Sequence, residues 1–222
     1  MMNRRALFVL ASTALGAQFL RSGAARAQPS AAPSSPVRVK REAPVVVREE
    51  FDPRRPPPDM PPLTPPEAGV CKTTFALDAS VNFSAEQLSR TKVRIYVDEL
   101  DIVTHVRFDI FTALKSPAKL RAHEEGHRAI GEHFYENAAT VASDIGRRLI
   151  GKTYEGTGAD PEAAQRDAFN RVVAEIETAY MARMRIPSAA ANERFDEITN
   201  HGLNPIDEAE AVTQAIAGGA AP

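Results

Sequence analysis

Residues 123–127, with the sequence His-Glu-Glu-Gly-His, constrain the structure of this chain more than any other stretch. They match the pattern H-E-x-x-H, in which two histidines bind one metal ion from a helix. Residues four positions apart lie on the same helical face, so the imidazoles of His123 and His127 can reach a single ion. The pattern therefore predicts a helix at this point, with the carboxylate of Glu124 beside a bound zinc ion.

The flanking sequence predicts that this helix is long and amphipathic. Ser116 and Pro117 are typical of a helix start, and Gly151 is typical of the residue just past a helix end. Apolar or histidine residues recur every three or four positions, at 120, 123, 127, 130, 134, 138, 141, 145 and 149. Such a stripe faces the core, where an unpaired imidazole is costly. A zinc ion would satisfy both rings, and the alternative is that nearby carboxylates do so.

The N-terminus predicts export from the cytoplasm. Arg4 and Arg5 precede an apolar run at residues 6–20, and small residues precede a cleavage site between Ala27 and Gln28. Residues 1–27 are therefore expected to be a secretory signal peptide. Its apolar run is too short to span a bilayer comfortably, so the mature chain should have no transmembrane segment and should reach the periplasm or the exterior.

The charge of the mature chain argues against a nucleic-acid partner. The full chain has a formal net charge of −2, and its first 27 residues carry four Arg and no acidic residue. Removing them leaves a charge of −6, which gives no electrostatic reason to bind nucleic acid or an anionic membrane surface.

A proline-rich segment separates the signal from the globular part. Residues 28–68 hold 12 of the 17 prolines of the chain. Such a composition buries too little apolar surface to offset the entropy of ordering, so a disordered linker is expected here, although the three valines at residues 45–47 allow a short strand. The globular domain is expected at residues 69–217, with a frayed tail at residues 218–222.

Within the domain, the pattern of apolar residues predicts an α+β fold. Apolar and polar residues alternate over residues 73–83, 92–97 and 102–111, which predicts strands, and the polar residues 98–101 suit a hairpin turn. After the motif helix, Asp160 and Pro161 predict a helix that ends near Pro187, and further helices are expected over residues 189–200 and 205–216. The expected order is a small antiparallel sheet, a long zincin-type motif helix, and two or three further packed helices.

A catalytic zinc ion takes three protein ligands, so a third ligand is expected. His133 has the spacing found in longer metalloprotease motifs, but Ile130 occupies the position where that motif needs glycine. In an unbroken helix His133 would face away from His127, so it is a minor alternative. His201, next to Gly202 at a predicted helix end, is the better candidate.

Residues 195–202, Phe-Asp-Glu-Ile-Thr-Asn-His-Gly, combine with residues 123–127 to give a more specific signal. Together they resemble a bacterial family, domain of unknown function 922, described as predicted secreted zinc-dependent proteases. That family pairs an H-E-x-G-H helix with a later Y-D-x-x-T-x-H-G segment. The resemblance spans residues 73–210, and the sequence departs from it at Phe195, where the family has tyrosine.

The resemblance implies a function and a set of site residues. It implies one zinc ion bound by His123, His127 and His201, with Glu124 as general base. Asp196 would be an alternative ligand or a carboxylate that orients a histidine. The expected activity is that of a metalloendopeptidase acting on peptides or proteins of the cell envelope. The alternative, which the change at position 195 permits, is a zinc- or envelope-binding module without turnover.

Overall fold

The computed structural model describes residues 35–63 and 67–218 of the chain. The predicted signal peptide at residues 1–27 and all but the first residue of the predicted tail lie outside these ranges. The described residues form a five-stranded sheet with packed helices, so the α+β prediction is confirmed. No helix among them is long and apolar enough to cross a membrane.

Nine elements follow one another along the described chain. In order, they are β1 (Val37–Arg41), β2 (Val45–Phe51), β3 (Gly69–Ser89), β4 (Lys92–Ala113), α1 (Ala118–Glu136), α2 (Ala138–Leu149), β5 (Thr153–Thr157), α3 (Pro161–Thr199) and α4 (Glu208–Ala217).

Strands β3 and β4 form one long antiparallel hairpin at the centre of the fold. Its turn lies at residues 90–91, so the turn predicted at residues 98–101 is wrong. Instead, the pairing register shifts where Asp98 has no partner on β3, which makes a β-bulge. The bulge reverses which side of β4 faces inward, so Val97 and Leu100 are both buried although they are three residues apart.

The remaining strands show that the sheet is mixed, so the prediction of an antiparallel sheet is wrong in this respect. β1 and β2 pair in parallel with β4, on the side opposite β3, and β5 pairs with β4 in the antiparallel sense. Both parallel strands come from the segment predicted to be a disordered linker. That prediction fails over β1 and β2 because apolar side chains there reach the core: Val37 is 6% exposed and Phe51 is 4% exposed.

The helices also differ from the prediction in their boundaries. The predicted long helix breaks at Asn137 into α1 and α2. Conversely, α3 continues through Pro187, where the sequence predicted an end. A proline inside a helix costs about 3 kcal/mol, but the buried stripe of α3 runs across it without a change of phase, through Met184, Ser188 and Phe195. Burial of this stripe holds the helix together across the proline.

Three elements meet where the motif lies. α1 packs against β3 on one side and against the C-terminal part of α3 on another, and α4 packs against both helices. An apolar cluster joins the helices at this point, with Ile130 of α1, Phe195 of α3 and Ala211 of α4 all buried. The packing therefore brings the start of β3, the motif helix and the end of α3 together around one cleft.

Candidate metal centre

Three side chains converge at the centre of the cleft: His123 and His127 from α1, and Asp196 from α3. The two Nε2 atoms are 3.2 Å apart. Oδ1 of Asp196 lies 3.2 Å from Nε2 of His123 and 3.1 Å from Nε2 of His127. Ligand atoms of a tetrahedral ion with bonds of about 2.0–2.1 Å would be roughly 3.3–3.4 Å apart. The spacing therefore suits a group that holds a metal ion.

The carboxylate oxygen in this triangle lacks an ordinary hydrogen bond. Oδ1 of Asp196 is buried and accepts no hydrogen bond, although two imidazole nitrogens are within 3.2 Å. Neither ring directs an N–H at it. The two imidazoles also contact each other through their Nε2 atoms, so the three atoms are close enough to share one proton or to bind one ion.

Asn192 fixes the orientation of the His127 ring. Nδ1 of His127 lies 2.7 Å from Oδ1 of Asn192, and Nδ2 of Asn192 donates a 2.8 Å hydrogen bond to the carbonyl oxygen of Ser188. Because the amide nitrogen is used there, its oxygen accepts the proton of Nδ1. Nε2 of His127 is then left with a lone pair directed into the cleft.

His123 is oriented in a similar way by the end of α3 and the start of α4. Its Nδ1 lies 3.4 Å from Oγ1 of Thr199, whose hydroxyl donates to the carbonyl oxygen of Phe195 at 2.7 Å. Nδ1 also lies 3.8 Å from Oε2 of Glu208. With acceptors around Nδ1, the proton belongs on that nitrogen and the lone pair on Nε2. Two lone pairs and a carboxylate oxygen in contact require a cation or a proton between them.

Without a bound ion, the ionisation of the group depends on protons that the two imidazoles hold beside Asp196. Burial would raise the pKa of Asp196, but the two nearby imidazoles outweigh it and hold that pKa well below its usual range. Burial lowers the pKa of His127, but Asp196 more than offsets burial and the net shift is upward. Asp196 therefore ionises readily, and a cation bound at this point would replace the protons on the imidazoles.

Glu124 lies beside the triangle and is only 3% exposed. The start of β3 covers it so closely that a Cβ added to Gly69 would stand 2.8 Å from Oε1. Its Oε2 is buried without a hydrogen-bond partner. Burial raises the pKa of Glu124 to about 7, with Asp196 adding to the effect and His127 opposing it. A carboxyl group with this pKa can take up and release a proton near neutral pH.

The cleft itself has a volume of about 330 Å³ and lies between β3, α1 and α3. Cys71 of β3 contributes to its wall. Burial, reinforced by Glu124, raises the pKa of the Cys71 thiol to about 12, so the sulfur stays protonated and is a poor metal ligand.

His201, predicted as the third ligand, lies at the mouth of the cleft. It belongs to a turn after α3 in which Asn200, His201 and Gly202 have positive φ values of 48°, 53° and 77°. Its side chain is 46% exposed, and Nδ1 lies 3.6 Å from Oδ1 of Asp196. The structure thus groups Asp196, which the sequence offered only as an alternative ligand, with the two motif histidines, and leaves His201 at the rim.

Of two further polar residues, Asn192 lines the cleft and His133 does not. His133 is exposed on the outer face of α1, with its ring against Phe134, and lies outside the cleft. Asn192 was not predicted. It precedes Asp196 by four residues, so it shares a helical face with it, and a reading of α3 as one helix through Pro187 would have revealed it.

Phe195 packs behind the histidines rather than in the cleft. Its ring stacks on His123 with centroids 4.8 Å apart and meets His127 edge-on at 5.0 Å. Its Cζ points at α1, where a Cβ added to Gly126 would lie only 2.4 Å away. A tyrosine hydroxyl on this ring would therefore be directed into the contact between α1 and α3, not towards a substrate.

No protein-family model, curated protein or solved structure matches this chain.

Proposed function

We propose that this protein is a zinc-dependent metalloendopeptidase that hydrolyses peptide bonds in the cleft between β3, α1 and α3. The observation that carries the proposal is the triangle of His123, His127 and Asp196 beside Glu124, a buried carboxyl group with a pKa of about 7. Two imidazole nitrogens and a carboxylate oxygen form a donor set that suits zinc, and three protein ligands leave a coordination position open.

Some residues of the site would bind the ion, and others orient the side chains that bind it. His123, His127 and Asp196 would hold the ion, while Asn192 and Thr199 orient the two imidazoles. When bound, zinc would supply a Lewis acid that polarises a carbonyl group and lowers the pKa of a water molecule.

Glu124 would act as the general base. Its Oε2 has no partner in the protein and so is available to a water molecule. With a pKa of about 7, the carboxylate takes a proton from the attacking water and gives it to the nitrogen of the leaving amine. The same group thus acts first as base and then as acid.

His201 would contact the substrate from the cleft mouth. Its half-exposed ring lies 3.6 Å from Asp196, close enough to the proposed ion to reach a carbonyl oxygen held there. A ring N–H at this position can donate a hydrogen bond to that oxygen as it gains negative charge. We therefore assign Asp196, rather than His201, as the third ligand.

The free edge of β3 supports an extended peptide as the substrate. Among the described strands, β3 pairs with β4 alone, so its other edge has no strand neighbour. The first residues of β3 line the cleft beside Glu124. An extended peptide can add to such an edge through main-chain hydrogen bonds, which would draw a scissile bond towards the proposed ion.

The sequence resemblance supports the same function. Residues 123–127 and 195–202 resemble the two motifs of the secreted zinc-protease family, and the predicted signal at residues 1–27 favours substrates in the cell envelope. The departure at Phe195 changes a group that faces Gly126 rather than the cleft. This favours an enzyme over the alternative of a binding module without turnover.

The test is the Glu124→Gln variant, assayed with zinc on a library of quenched fluorescent peptides. We expect turnover to fall by about 10²–10⁴-fold, as for loss of a general base, while elemental analysis finds an unchanged zinc content. Glu125→Gln is the matched control, because Glu125 is adjacent but forms a surface pair with Arg48. Undiminished turnover in Glu124→Gln would exclude the mechanism, and zinc-dependent peptide binding without cleavage in the wild type would favour the binding module.

The ligand assignment has its own test. Asp196→Ala should lose zinc, whereas His201→Ala should keep zinc and lose turnover. If His201→Ala lost zinc and Asp196→Ala kept it, His201 would be the third ligand.

A further inference from the structure

Arg185 differs in charge from every other ionised residue around the cleft. Among the described lining residues it is the one arginine or lysine, and the other charged ones are the acidic residues Glu67, Glu124 and Asp196. Arg185 is exposed, and within residues 35–63 and 67–218 it has no hydrogen bond or ion pair. An exposed unpaired arginine is ordinary elsewhere on a surface. Arg185, however, lies at one end of the cleft wall formed by α3, and the proposed ion lies near the other end.

That wall is a single stripe of α3. Arg185, Ser188, Asn192 and Asp196 line the cleft at the three- and four-residue intervals of one helical face. Eleven residues separate Arg185 from Asp196, which corresponds to about 16 Å along the helix at about 1.5 Å per residue. An extended peptide advances roughly 3.3 Å per residue, so about three to five substrate residues separate the two positions once the reach of the arginine is included.

We propose that Arg185 selects peptides that carry a carboxylate about three to five residues from the bond to be cleaved. This inference rests on the proposed function and names its substrate class. The planar guanidinium binds a carboxylate through two parallel hydrogen bonds.

The carboxylate has two sources, an acidic side chain or the free C-terminus of the peptide. Ten-residue peptides with one Glu moved along a neutral sequence test the first source, with Gln at the same position as the reference. Each peptide is made as a C-terminal acid and as a C-terminal amide to test the second. A preference for Glu over Gln at one position identifies the side chain, and a preference for the acid over the amide identifies the terminus.

The discriminating variants are Arg185→Glu and Arg183→Glu. Both residues are exposed on α3, and the substitutions change the net charge equally. They are two residues apart, so they face opposite sides of the helix, and Arg183 does not line the cleft. We expect the wild type and Arg183→Glu to favour the carboxylate peptide by about tenfold in kcat/KM, the size of one charged hydrogen-bonded pair. Arg185→Glu should lose this preference and favour Lys at the same position.

Measurements of peptide binding distinguish the proposed selectivity of Arg185 from the proposed hydrolysis. The same peptides, labelled with a fluorophore, are titrated into zinc-loaded Glu124→Gln protein with and without Arg185→Glu. If the wild type cleaves nothing but binding still shows a preference that depends on Arg185, the proposed function fails and the selectivity stands. Equal binding and equal cleavage of Glu and Gln peptides, and of acids and amides, would overturn the selectivity. A loss of preference of equal size in Arg183→Glu would overturn it as well.

Discussion

At the scale of single residues, each histidine of the triangle is oriented by a group behind it. Asn192 receives the Nδ1 proton of His127, and Thr199 lies against Nδ1 of His123. Such partners fix the tautomer and raise the basicity of the nitrogen that faces the ion. The metal affinity should therefore depend on residues that do not touch the metal.

Asn192→Ala should weaken zinc binding by about 10–100-fold, because His127 loses the acceptor that holds its proton on Nδ1. Competition with a chromophoric chelator measures this affinity. Asn170→Ala is the control, since Asn170 is an exposed asparagine on the same helix. An unchanged affinity in Asn192→Ala would show that the ring is oriented without the amide.

The buried carboxyl of Glu124 predicts a pH dependence of stability in the metal-free protein. Its pKa is raised from 4.5 to about 7, so the folded state retains a proton that the unfolded chain releases. The stabilising contribution of this proton is complete below about pH 4.5 and is lost as the pH rises through about 7. Glu124→Gln removes the titration. Relative to the wild type, the variant should gain about 2–3 kcal/mol of unfolding free energy between about pH 4.5 and 8.

Denaturant titrations in the presence of a chelator, at several pH values, provide the measurement. Glu125→Gln should instead lose stability relative to the wild type as the pH rises. Arg48 lowers the pKa of Glu125, so the Glu125 carboxylate stabilises the fold above the usual pKa of glutamate. If the difference in unfolding free energy between Glu124→Gln and the wild type stayed constant with pH, this would contradict a raised pKa of Glu124 in the folded state.

At the scale of elements, the sequence predicted the existence of most helices and strands but misplaced several boundaries. The polar residues 98–101 look like a turn, since the change of apolar phase between Val97 and Leu100 has the same signature in a turn and in a β-bulge. Pro187 looks like a helix end because local propensity carries no information about the buried stripe that continues beyond it. At both positions the structure is determined by tertiary packing, which a local sequence pattern does not report.

The contact between α1 and α3 depends on Gly126. A Cβ at this position would meet Cζ of Phe195 at 2.4 Å, so Gly126→Ala should force the ring to move. Overpacking costs about 1–3 kcal/mol, against a gain of about 1 kcal/mol in helix propensity. We expect a lower melting temperature together with weaker zinc binding, because Phe195 stacks on His123.

The double variant Gly126→Ala, Phe195→Leu provides the control for this prediction. A smaller side chain at position 195 restores the space, so part of the lost stability should return. If Gly126→Ala alone were as stable as the wild type, the two helices would not be held at the separation described.

At the scale of the whole molecule, the main surprise is that the sheet begins before the predicted domain. Residues 52–63 contain neither helix nor strand, but β1 was not predicted, and of β2 only a short strand at residues 45–47 was considered. Parallel pairing with β4 joins segments about 60 residues apart, and no local pattern encodes such a pairing.

Val37→Asp and Val45→Asp test whether this segment belongs to the folded domain. Val37 is 6% exposed, whereas Val45 is 49% exposed on the next strand. An unpaired charge at the buried position should cost more than about 3 kcal/mol of unfolding free energy, and the exposed substitution less than about 1 kcal/mol. Thermal unfolding followed by circular dichroism measures both. Equal effects would support the linker prediction over the strands.

The candidate metal centre also shows what the sequence could and could not predict. His123, Glu124 and His127 were found because one helical turn contains them all. The third member of the triangle lies 73 residues away from His123, and the choice between Asp196 and His201 depended on the backbone of the turn after α3. The three positive φ values in that turn carry His201 to the rim, and no spacing rule reports them.

The long free edge of β3 has a consequence for the behaviour of the protein in solution. An edge that can receive a peptide can also receive the same edge of another copy of the chain. Along the half of β3 away from the cleft, exposed polar side chains alternate and include the acidic residues Asp78 and Glu86. In an antiparallel pairing of two copies centred on Asn82, Asp78 of one copy would face Glu86 of the other. Repulsion between these carboxylates opposes edge-to-edge pairing of two molecules. Residues 69–77 of β3 carry no acidic side chain, so an incoming extended chain is expected to pair there, next to the proposed catalytic carboxylate of Glu124.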